Sequence, residues 1–487
     1  MELGDILKMT NNNNLNTEND ALLEMILERK YYTQLVEKNG KANIMLDNVE
    51  LNITAACNQK CEYCYLTQHG KEIYPVEIRD EKTIIKNAYL VLKYFAEKKM
   101  YIDTLSLFSG EIWGTKLADG VFEALYEVLS QGELKINIIS VPSNMSFLLD
   151  EKKKANVEEW IAKFKTLKVR LQYSASIDGL LIEENERSFI NESKNAERTE
   201  EFYNILFEWC QKYNYGFHPM VAAGSIEKWP ENYEWWMEMF NQYDENQWLK
   251  GMFLEVRNDD WTPDKIKGYL NFLNHMIDYD FEKLCFNDTR LFAKAVFAKI
   301  PNVQEKDSMP LAYRGYILQP ACKTPGCTID KDLMIRLGDL AIGPCHRLHY
   351  DKFIYGKYKT EGTGDNEHII GVTANNVQLA NLFYNNTDEC YMRCSSCPAE
   401  GFCLKQCFGA QYETSGEILL PINSVCELYK ARISFLALKY RKIFNSTQLN
   451  KNQLQVLNGL YKVAVELQQG GFNVCEYLDP QLQEKIF

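Results

Sequence analysis

The placement of cysteine is the feature of this sequence that most constrains its fold. Three of the 15 cysteines lie within eight residues, at Cys57, Cys61 and Cys64, and nine lie between Cys322 and Cys426. Clustered cysteines in a reducing compartment are typical of metal ligands or catalytic thiols, because disulfides do not persist there. The pattern therefore predicts ligands or catalytic thiols in two separate regions of the chain.

The overall composition excludes several classes of protein. A chain of 487 residues with 46% hydrophobic residues can bury a large core, which excludes global disorder. The formal net charge of -13 argues against nucleic acid as a partner, since phosphate binding needs an excess of basic residues. No apolar run is long enough to cross a bilayer, and the N-terminus lacks the features of a signal peptide. We therefore expect a cytoplasmic protein with no membrane partner.

Residues 46–300 alternate short β-rich runs with amphipathic helical stretches. The predicted strands are Val49–Thr54, Thr104–Phe108, Ile136–Val141, Val169–Ile177, Gly216–Ala222 and Met252–Val256. The predicted helices between them include Glu81–Glu97, Val121–Leu129, Val157–Leu167 and Glu200–Tyr213. Six strand–helix units in series predict an α/β fold with a partial (β/α)6 barrel of the TIM type. The active site of such a barrel lies at the C-terminal ends of its strands.

The segments on either side of this barrel differ from it in character. Residues 1–45 are predicted to be a flexible or helical lead-in. Residues 301–427 are rich in cysteine, glycine and turn residues, and they lack long periodic apolar stretches. We expect that segment to bury little core of its own and to need metal centres for folding. Residues 428–487 are predicted to form C-terminal helices at Leu428–Phe444 and Asn452–Gln469.

The loop at Cys57, Cys61 and Cys64 begins three residues after the first predicted strand. Three thiolates can hold three irons of a four-iron cluster, which leaves the fourth iron open for chemistry. The alternative is a zinc site, which needs a fourth cysteine or histidine at nearby spacing. His69 is the next candidate and is poorly placed for that role. The three cysteines by themselves therefore favour iron and leave zinc open.

The octapeptide from Cys57 to Cys64, Cys-Asn-Gln-Lys-Cys-Glu-Tyr-Cys, resembles the signature loop of radical S-adenosylmethionine enzymes. Tyr63 stands where that signature carries an aromatic residue. Further marks follow in order on successive strands. Ser109-Gly110-Glu111 resembles a Gly-Gly-Glu turn that faces the methionine amino group, and Ser143-Asn144 resembles a Thr-Asn-Gly turn. Ser176-Ile177-Asp178-Gly179, with Arg187 downstream, resembles a Ser-x-Asp-Gly segment.

This resemblance implies that the loop binds a [4Fe-4S] cluster together with S-adenosylmethionine. Ser176 is expected to hydrogen-bond the cofactor, and Arg187 to pair with its carboxylate. Each later mark taken alone could be an ordinary turn at the end of a strand. The implied cofactor-binding residues are Tyr63, Ser109, Gly110, Glu111, Asn144, Ser176, Asp178 and Arg187.

The most specific signal in the chain is the run Cys394-x2-Cys397-x5-Cys403-x3-Cys407-x18-Cys426, with Cys322, Cys327 and Cys345 upstream. It resembles the SPASM domain, an extension of radical S-adenosylmethionine enzymes that binds two auxiliary clusters. The resemblance implies three [4Fe-4S] clusters in all. The implied auxiliary ligands are Cys322, Cys327, Cys345 and Cys407 for one cluster, and Cys394, Cys397, Cys403 and Cys426 for the other. The alternative is two zinc sites of four cysteines each, and Cys390 is left over as an idle thiol or a substitute ligand.

The same resemblance implies an oxidoreductase. A flavodoxin or ferredoxin would supply an electron, a 5′-deoxyadenosyl radical would take a hydrogen atom from the substrate, and the auxiliary clusters would carry a second electron away. Sulfatase-maturating members place an aspartate after the cysteine that corresponds to Cys345, whereas this chain has His346-Arg347. The chain therefore resembles maturases of ribosomally made peptides, which install thioether or carbon–carbon crosslinks in a precursor peptide.

Other functions remain open at this point. They are dehydrogenation of a small molecule, epimerisation of a peptide, modification of a protein in the manner of sulfatase maturation, and a non-catalytic metal-binding scaffold. His346 is the candidate catalytic residue, because an imidazole can accept a proton near neutral pH. The alternative for His346 is a polar residue in a turn.

Overall fold

The computed structural model describes residues 13–31, 35–38, 41–243, 251–300, 303, 313–319, 329–444 and 448–486. At residues 13–16, 29–31, 35–38, 41–45, 109, 387–389 and 391 only the backbone is described. The chain divides into two compact units, the first within residues 1–175, 189–197 and 328–390 and the second within residues 176–188, 198–327 and 391–487. The division into two units does not test the boundaries of the four predicted domains, which stay a prediction.

The described strands, in chain order, are β1 (Leu35–Lys38), β2 (Lys41–Thr54), β3 (Met100–Ser109), β4 (Lys135–Ser143), β5 (Arg170–Ala175), β6 (Gly216–Phe217), β7 (Met220–Val221), β8 (Leu254–Glu255), β9 (Asp332–Arg336), β10 (Ala341–Gly343), β11 (Gly356–Glu361) and β12 (His368–Ala374). The described α-helices are α1 (Asn13–Tyr31), α2 (Tyr65–Ile73), α3 (Glu81–Glu97), α4 (Leu117–Ser130), α5 (Glu151–Thr166), α6 (Glu183–Glu186), α7 (Glu200–Tyr213), α8 (Trp229–Tyr243), α9 (Pro263–Tyr279), α10 (Thr289–Val296), α11 (Val377–Asn385), α12 (Phe408–Ser415), α13 (Asn423–Ile443), α14 (Lys451–Gln469) and α15 (Pro480–Ile486). None of the helices in the described ranges combines the length and the apolar composition that crossing a membrane requires.

The first unit is built on one sheet. Its strands run in the order β12-β11-β10-β9-β2-β3-β4-β5, and β1 pairs with β2. Strands β2 to β5 are parallel, and helices connect each to the next. Val49, Leu105, Ile139 and Leu171 lie side by side across these four strands and are buried. This parallel central sheet confirms the predicted α/β class, since strands covered on both faces bury near-continuous apolar runs.

The connecting helices form where the sequence pattern predicts them. The helix α3 begins after Asp80, whose carboxylate accepts the Thr83 N–H at 2.8 Å and so caps the first turn. It buries Ile84, Val91 and Phe95 on one face, at helical spacing. Each such burial stabilises the folded state by roughly 1.5–3 kcal/mol relative to an exposed side chain.

The described part of the N-terminal lead-in is a helix over residues 13–31 and strand over residues 35–38 and 41–45. The helix α1 buries Leu23, Ile26 and Leu27 within the first unit. Asp20 Oδ1 accepts the backbone N–H of Ala374 at 2.6 Å, which ties the helix to the end of β12. The sequence analysis did not predict β1 or the early start of β2.

Part of the cysteine-rich segment buries more core than the sequence predicts. All five residues of β9 are buried, including Leu333, Met334 and Ile335. Because β9 pairs with β2 in parallel, it extends an existing sheet and needs no separate core. The strands β9 to β12 therefore add buried residues to the sheet of the first unit, and the need of the cysteine-rich segment for metal centres stays a prediction. Strands β9 to β12 have only three to seven residues each, too few to show a clear period in the sequence.

The second unit is largely helical. The two predicted C-terminal helices are confirmed as α13 and α14, and α14 begins with a capping box between Asn450 and Gln453. The fifth predicted strand, Gly216–Ala222, is divided into β6 and β7 by His218 and Pro219. Proline has no backbone N–H to donate to a sheet, which accounts for the interruption. The sixth predicted strand is shortened to β8, which pairs with β7 in parallel.

Buried ion pairs hold the interior of the second unit together. Glu255 accepts hydrogen bonds from Tyr313 at 2.9 Å and from Arg432 Nη1 at 3.2 Å. Asp280 Oδ2 lies 3.3 Å from Arg314 Nε. Buried charges are tolerated only when they are paired and hydrogen-bonded, so removal of one partner would be strongly destabilising.

Candidate functional site

The three-cysteine loop follows β2 directly in the first unit. Cys61 is buried, whereas Cys57 and Cys64 are half-buried. Cys64 is the N-cap residue of α2, where the unpaired N–H groups of the first turn favour negative charge. Cys57 Sγ accepts the Gln59 N–H at 3.4 Å. The loop therefore presents three thiols together at the C-terminal end of the first barrel strand.

The turn at Gly110 is held against this loop by backbone hydrogen bonds. The Gly110 N–H donates to the Thr54 carbonyl at 2.9 Å, and the Glu111 N–H donates to the Ala56 carbonyl at 2.9 Å. A Cβ atom at position 110 would overlap the Ala56 carbonyl oxygen and would lie 2.9 Å from the carbonyl oxygen of Ala55. Only glycine permits this close approach of two backbones.

Replacement of Gly110 by alanine is expected to displace the cysteine loop. The overlap is with backbone oxygen rather than with a flexible side chain, so we expect a loss of about 1–3 kcal/mol of folding stability. Gly114→Ala is the matched control, because a Cβ there would make ordinary contacts of 3.5–3.6 Å with Glu111 and Asn58. Urea unfolding midpoints of the two variants test the difference. Equal midpoints would contradict the tight packing described above.

Glu111 links the Gly110 turn to the end of β4. Its buried carboxylate accepts the Asn144 N–H at 2.7 Å, the Ser143 hydroxyl at 3.0 Å and the Trp113 N–H at 3.2 Å. Burial raises the pKa of Glu111 to about 7, although these hydrogen bonds oppose part of the rise. Asn144 Nδ2 in turn donates to Asn58 Oδ1 in the cysteine loop at 2.7 Å. Three of the sequence motifs in the first unit are thus joined in one network.

His346 lies between two of these motifs. Its ring stacks on Phe108, with centroids 3.8 Å apart and planes at 6°, and Phe108 leads directly into the Gly110 turn. On another side the Tyr65 ring, which follows Cys64, lies 5.9 Å from the His346 ring. The predicted catalytic residue is therefore adjacent both to the cysteine loop and to the turn at Gly110.

Glu50 orients His346 and was missed by the sequence analysis. The buried Glu50 carboxylate accepts the His346 backbone N–H at 2.9 Å and lies 3.1 Å from its Nδ1. A tautomer with its proton on Nδ1 would donate to this carboxylate and present Nε2 as an acceptor. The signal that could have found Glu50 is an acidic residue between Val49 and Leu51 inside a predicted core strand.

The Ser-x-Asp-Gly segment begins the second unit, where its aspartate is buried. Asp178 Oδ2 lies 2.8 Å from Arg187 Nε, and Asp178 Oδ1 accepts the Met220 N–H at 2.8 Å. Glu183 accepts the Asp178 N–H at 2.6 Å and pairs with Arg198 at 3.1 Å. The structure thus gives Arg187 a partner within the protein, which the sequence analysis did not foresee. The predicted roles of Ser176, Asp178 and Arg187 toward the cofactor stay predictions.

His218 is a second residue that the sequence analysis missed. Burial lowers the pKa of its imidazole to about 4, and the positive charge of Arg187 lowers it further. The Nε2 atom is buried and makes no hydrogen bond within the described residues. Its position between β6 and β7 shows no periodic signal in the sequence, so only the folded chain reveals its surroundings.

Four of the C-terminal cysteines lie close together in the second unit. Burial raises the pKa of the Cys426 thiol to about 11, and the charges of Cys403, Cys394 and Cys397 add to the rise. Burial likewise raises the pKa of the Cys394 and Cys403 thiols. These are the four cysteines implied for one auxiliary cluster, and neutral buried thiols of this kind lose their protons when they bind a metal.

The other implied auxiliary ligands are distributed along the chain. Cys322 and Cys327 lie outside the described residues. Cys345 follows β10 in the first unit, and Cys407 is the N-cap residue of α12 in the second. Cys390 is buried in the first unit. This ligand set therefore stays a prediction.

The chemistry of the donors fits iron–sulfur clusters. The described residues contain no group of three or more His, Cys, Asp or Glu side chains gathered around one metal ion. Each cysteine of a four-iron cluster binds a different iron, so these sulfurs need not converge on a single point. Backbone and side-chain N–H groups donate to cysteine sulfur, as they do in known clusters. These hydrogen bonds are Gln59 N–H to Cys57 at 3.4 Å, Leu348 N–H to Cys345 at 3.4 Å, and Gln406 Nε2–H to Cys426 at 3.1 Å.

No protein-family model and no curated protein matches the sequence. The structure, in contrast, is similar to solved structures. One is native anSMEcpe with bound S-adenosylmethionine, at 15% identity and a TM-score of 0.52, with 85% of this chain and 100% of that chain covered. The chain shares the fold of this S-adenosylmethionine-bound protein.

A second solved structure of the same protein gives the same fold. It is native anSMEcpe with bound S-adenosylmethionine and the Kp18Cys peptide, at 15% identity and a TM-score of 0.50, with 84% of this chain and 99% of that chain covered. SuiB from Streptococcus suis, bound to S-adenosylmethionine, is more distant, at 12% identity and a TM-score of 0.42, with 86% of this chain and 82% of that chain covered. The α/β fold expected from the sequence agrees with the fold of anSMEcpe.

Proposed function

We propose that the chain is a radical S-adenosylmethionine oxidoreductase that modifies a ribosomally made peptide. The observation that carries this proposal is the position of His346 between the cysteine loop and the Gly110 turn, stacked on Phe108 at 3.8 Å. A histidine next to both proposed cofactor-binding motifs, the cysteine loop and the Gly110 turn, would lie near a substrate bound beside the cofactor. The shared fold of a solved enzyme with bound S-adenosylmethionine supports the same reaction class.

The first unit supplies the proposed cofactor site. Cys57, Cys61 and Cys64 would hold a four-iron cluster whose open iron lets S-adenosylmethionine be cleaved to methionine and a 5′-deoxyadenosyl radical, which removes a hydrogen atom from the substrate. Gly110 and Glu111 would line the cofactor at a turn where no side chain separates its backbone from the cysteine loop. Tyr63, Ser109 and Asn144 are the remaining proposed contacts in this unit, and of Ser109 only the backbone is described.

The roles of the protein residues follow from their contacts. Oxidation of the substrate radical by one electron releases a proton, and we assign its acceptance to His346 Nε2. Glu50 fixes the ring by holding Nδ1, at 3.1 Å, and the stacked Phe108 restricts its rotation. The cysteines at Cys394, Cys397, Cys403 and Cys426 would bind a fully ligated cluster, which suits electron transfer better than substrate binding. A flavodoxin or ferredoxin is the proposed source of electrons.

A peptide is favoured as the substrate over a small molecule. A solved structure with the same fold is described with a bound peptide. The net charge of -13 also suits a basic or neutral peptide better than a polyanion. His346 stands where sulfatase-maturating relatives are expected to carry aspartate, which separates the proposed reaction from sulfatase maturation. A thioether or carbon–carbon crosslink is the proposed product.

Mass spectrometry of a short peptide encoded beside the gene, after anaerobic reaction with the reconstituted protein, tests this proposal. A crosslink or a dehydrogenation lowers the mass by about two hydrogens per event, and one 5′-deoxyadenosine is expected per event because the cofactor is consumed as an oxidant. Deuterium from the attacked carbon should appear in that 5′-deoxyadenosine. Omission of dithionite is the control. A product of unchanged mass would indicate epimerisation and would contradict the crosslink.

A further inference from the structure

Gln406 contacts the sulfur of a proposed auxiliary ligand. It lies between Cys403 and Cys407, and its side chain is buried, with 5% of the residue exposed. Its Oε1 accepts the Ile422 N–H at 2.6 Å, and its Nε2 donates to the Ile422 carbonyl at 2.9 Å. The same Nε2 donates to Cys426 Sγ at 3.1 Å. All of these residues belong to the second unit.

The orientation of the Gln406 amide is set by its backbone partner. The Ile422 N–H can only donate, and the Ile422 carbonyl can only accept, so Oε1 must face the first and Nε2 the second. Rotation of the amide by 180° would break both bonds. An N–H donor is therefore directed at Cys426 Sγ whether or not the sulfur carries a charge.

A buried cation lies beside Gln406 in the sequence. Lys405 is 3% exposed, and its Nζ lies 3.0 Å from Glu400 Oε1. This side chain carries positive charge into the segment between Cys403 and Cys407.

We propose that Gln406 raises the reduction potential of the cluster that Cys394, Cys397, Cys403 and Cys426 would bind. Reduction would add one negative charge to the cluster and its sulfurs, and a fixed N–H donor stabilises such a charge. The inference rests on the proposed function, because it requires a cluster at these cysteines.

Redox titration followed by electron paramagnetic resonance tests the proposal. The measurements use reconstituted protein with Cys57, Cys61 and Cys64 replaced by alanine, so that auxiliary signals are observed without the open cluster. In Gln406→Leu the midpoint potential of one auxiliary signal is expected to fall. We expect roughly a tenfold change in the ratio of reduced to oxidised cluster at a fixed potential, which is about 59 mV for one electron. Gln406→Glu keeps the shape of the side chain but adds negative charge, so its potential should fall at least as far.

Gln411→Leu is the matched control. Gln411 is also buried and also accepts a backbone N–H through Oε1, from Leu419 at 3.0 Å. The Gln411→Leu variant should leave the midpoint potentials of both auxiliary clusters unchanged.

If both Gln406 variants kept their full iron content and an unchanged midpoint potential, Gln406 would have no effect on the potential. That result would overturn the present proposal and leave the proposed function standing. Loss of the cluster from both Gln406 variants would also overturn the proposal, because Gln406 would then be needed for cluster binding rather than for the reduction potential. Absence of iron–sulfur signals in the parental protein would instead overturn the proposed function.

Discussion

Replacement of Cys57, Cys61 and Cys64 together by alanine is expected to abolish formation of 5′-deoxyadenosine. These side chains are the ligands of the proposed open cluster, and without it there is no iron to which S-adenosylmethionine can bind. Iron content should fall by about a third, because one of three proposed four-iron clusters is lost. The measurement is chromatography of 5′-deoxyadenosine after anaerobic incubation with dithionite, with an iron and sulfide count on the same sample.

The control for this experiment is Cys475→Ala. Cys475 is half-buried in the second unit and belongs to neither cysteine cluster. Its removal should therefore leave the rate of 5′-deoxyadenosine formation and the iron content at their parental values. Circular dichroism of the triple variant should remain close to that of the parent, because Cys57 and Cys64 are only half-buried and Cys61→Ala removes a single buried sulfur. Formation of 5′-deoxyadenosine at the parental rate by the triple variant would refute the cluster assignment for this loop.

The second large effect is expected from His346→Gln. Product formation should fall by about 10²–10⁴-fold, the usual contribution of a positioned general base, while 5′-deoxyadenosine continues to form. The ratio of product to 5′-deoxyadenosine therefore separates a defect in proton removal from a defect in radical generation. His69→Gln is the control, because His69 lies on α2 beside the same loop and contacts Glu72 at 3.4 Å. An unchanged product ratio in His346→Gln would refute the proposed role.

Glu50→Gln tests whether the buried carboxylate acts through His346. The amide keeps the size of the side chain but no longer presents only acceptor atoms to Nδ1, so a smaller loss of product is expected. In the double variant the loss should equal that of His346→Gln alone, because the two residues form one unit. Additive losses would indicate that Glu50 stabilises the fold independently of His346. Thermal unfolding of each variant distinguishes the two effects.

Much of the fold could be predicted because its elements are long and regular. The strands β2 to β5 contain apolar runs that suit a buried parallel sheet, and α13 and α14 repeat apolar residues at helical spacing over many turns. The strands β9 to β12 could not be predicted in the same way. Of these strands β9 pairs with β2, which lies far earlier in the chain, and β10 to β12 are added to β9 in turn, so no local pattern records the pairing.

The same distinction between local patterns and long-range contacts applies to the candidate site. The cysteine loop and the Ser109-Gly110-Glu111 turn are local in sequence, so their residue types and spacing identify them. Glu50 and His346 are separated by 296 positions, and their contact exists only once β2 and the segment after β10 are folded together. The pairing of Arg187 with Asp178 likewise depends on how the chain turns after β5. Side-chain partners of this kind are set by tertiary geometry rather than by composition.

The sequence by itself therefore predicted the reaction class, through the resemblance that its cysteine motifs carry, and the α/β class, through alternating strands and helices. The tertiary structure decided which side chains surround the site. It directed Glu50 toward His346 and placed Gln406 against Cys426. The physical reason is that ligand spacing is a property of a short peptide, whereas burial of a polar group depends on partners that distant segments bring to it.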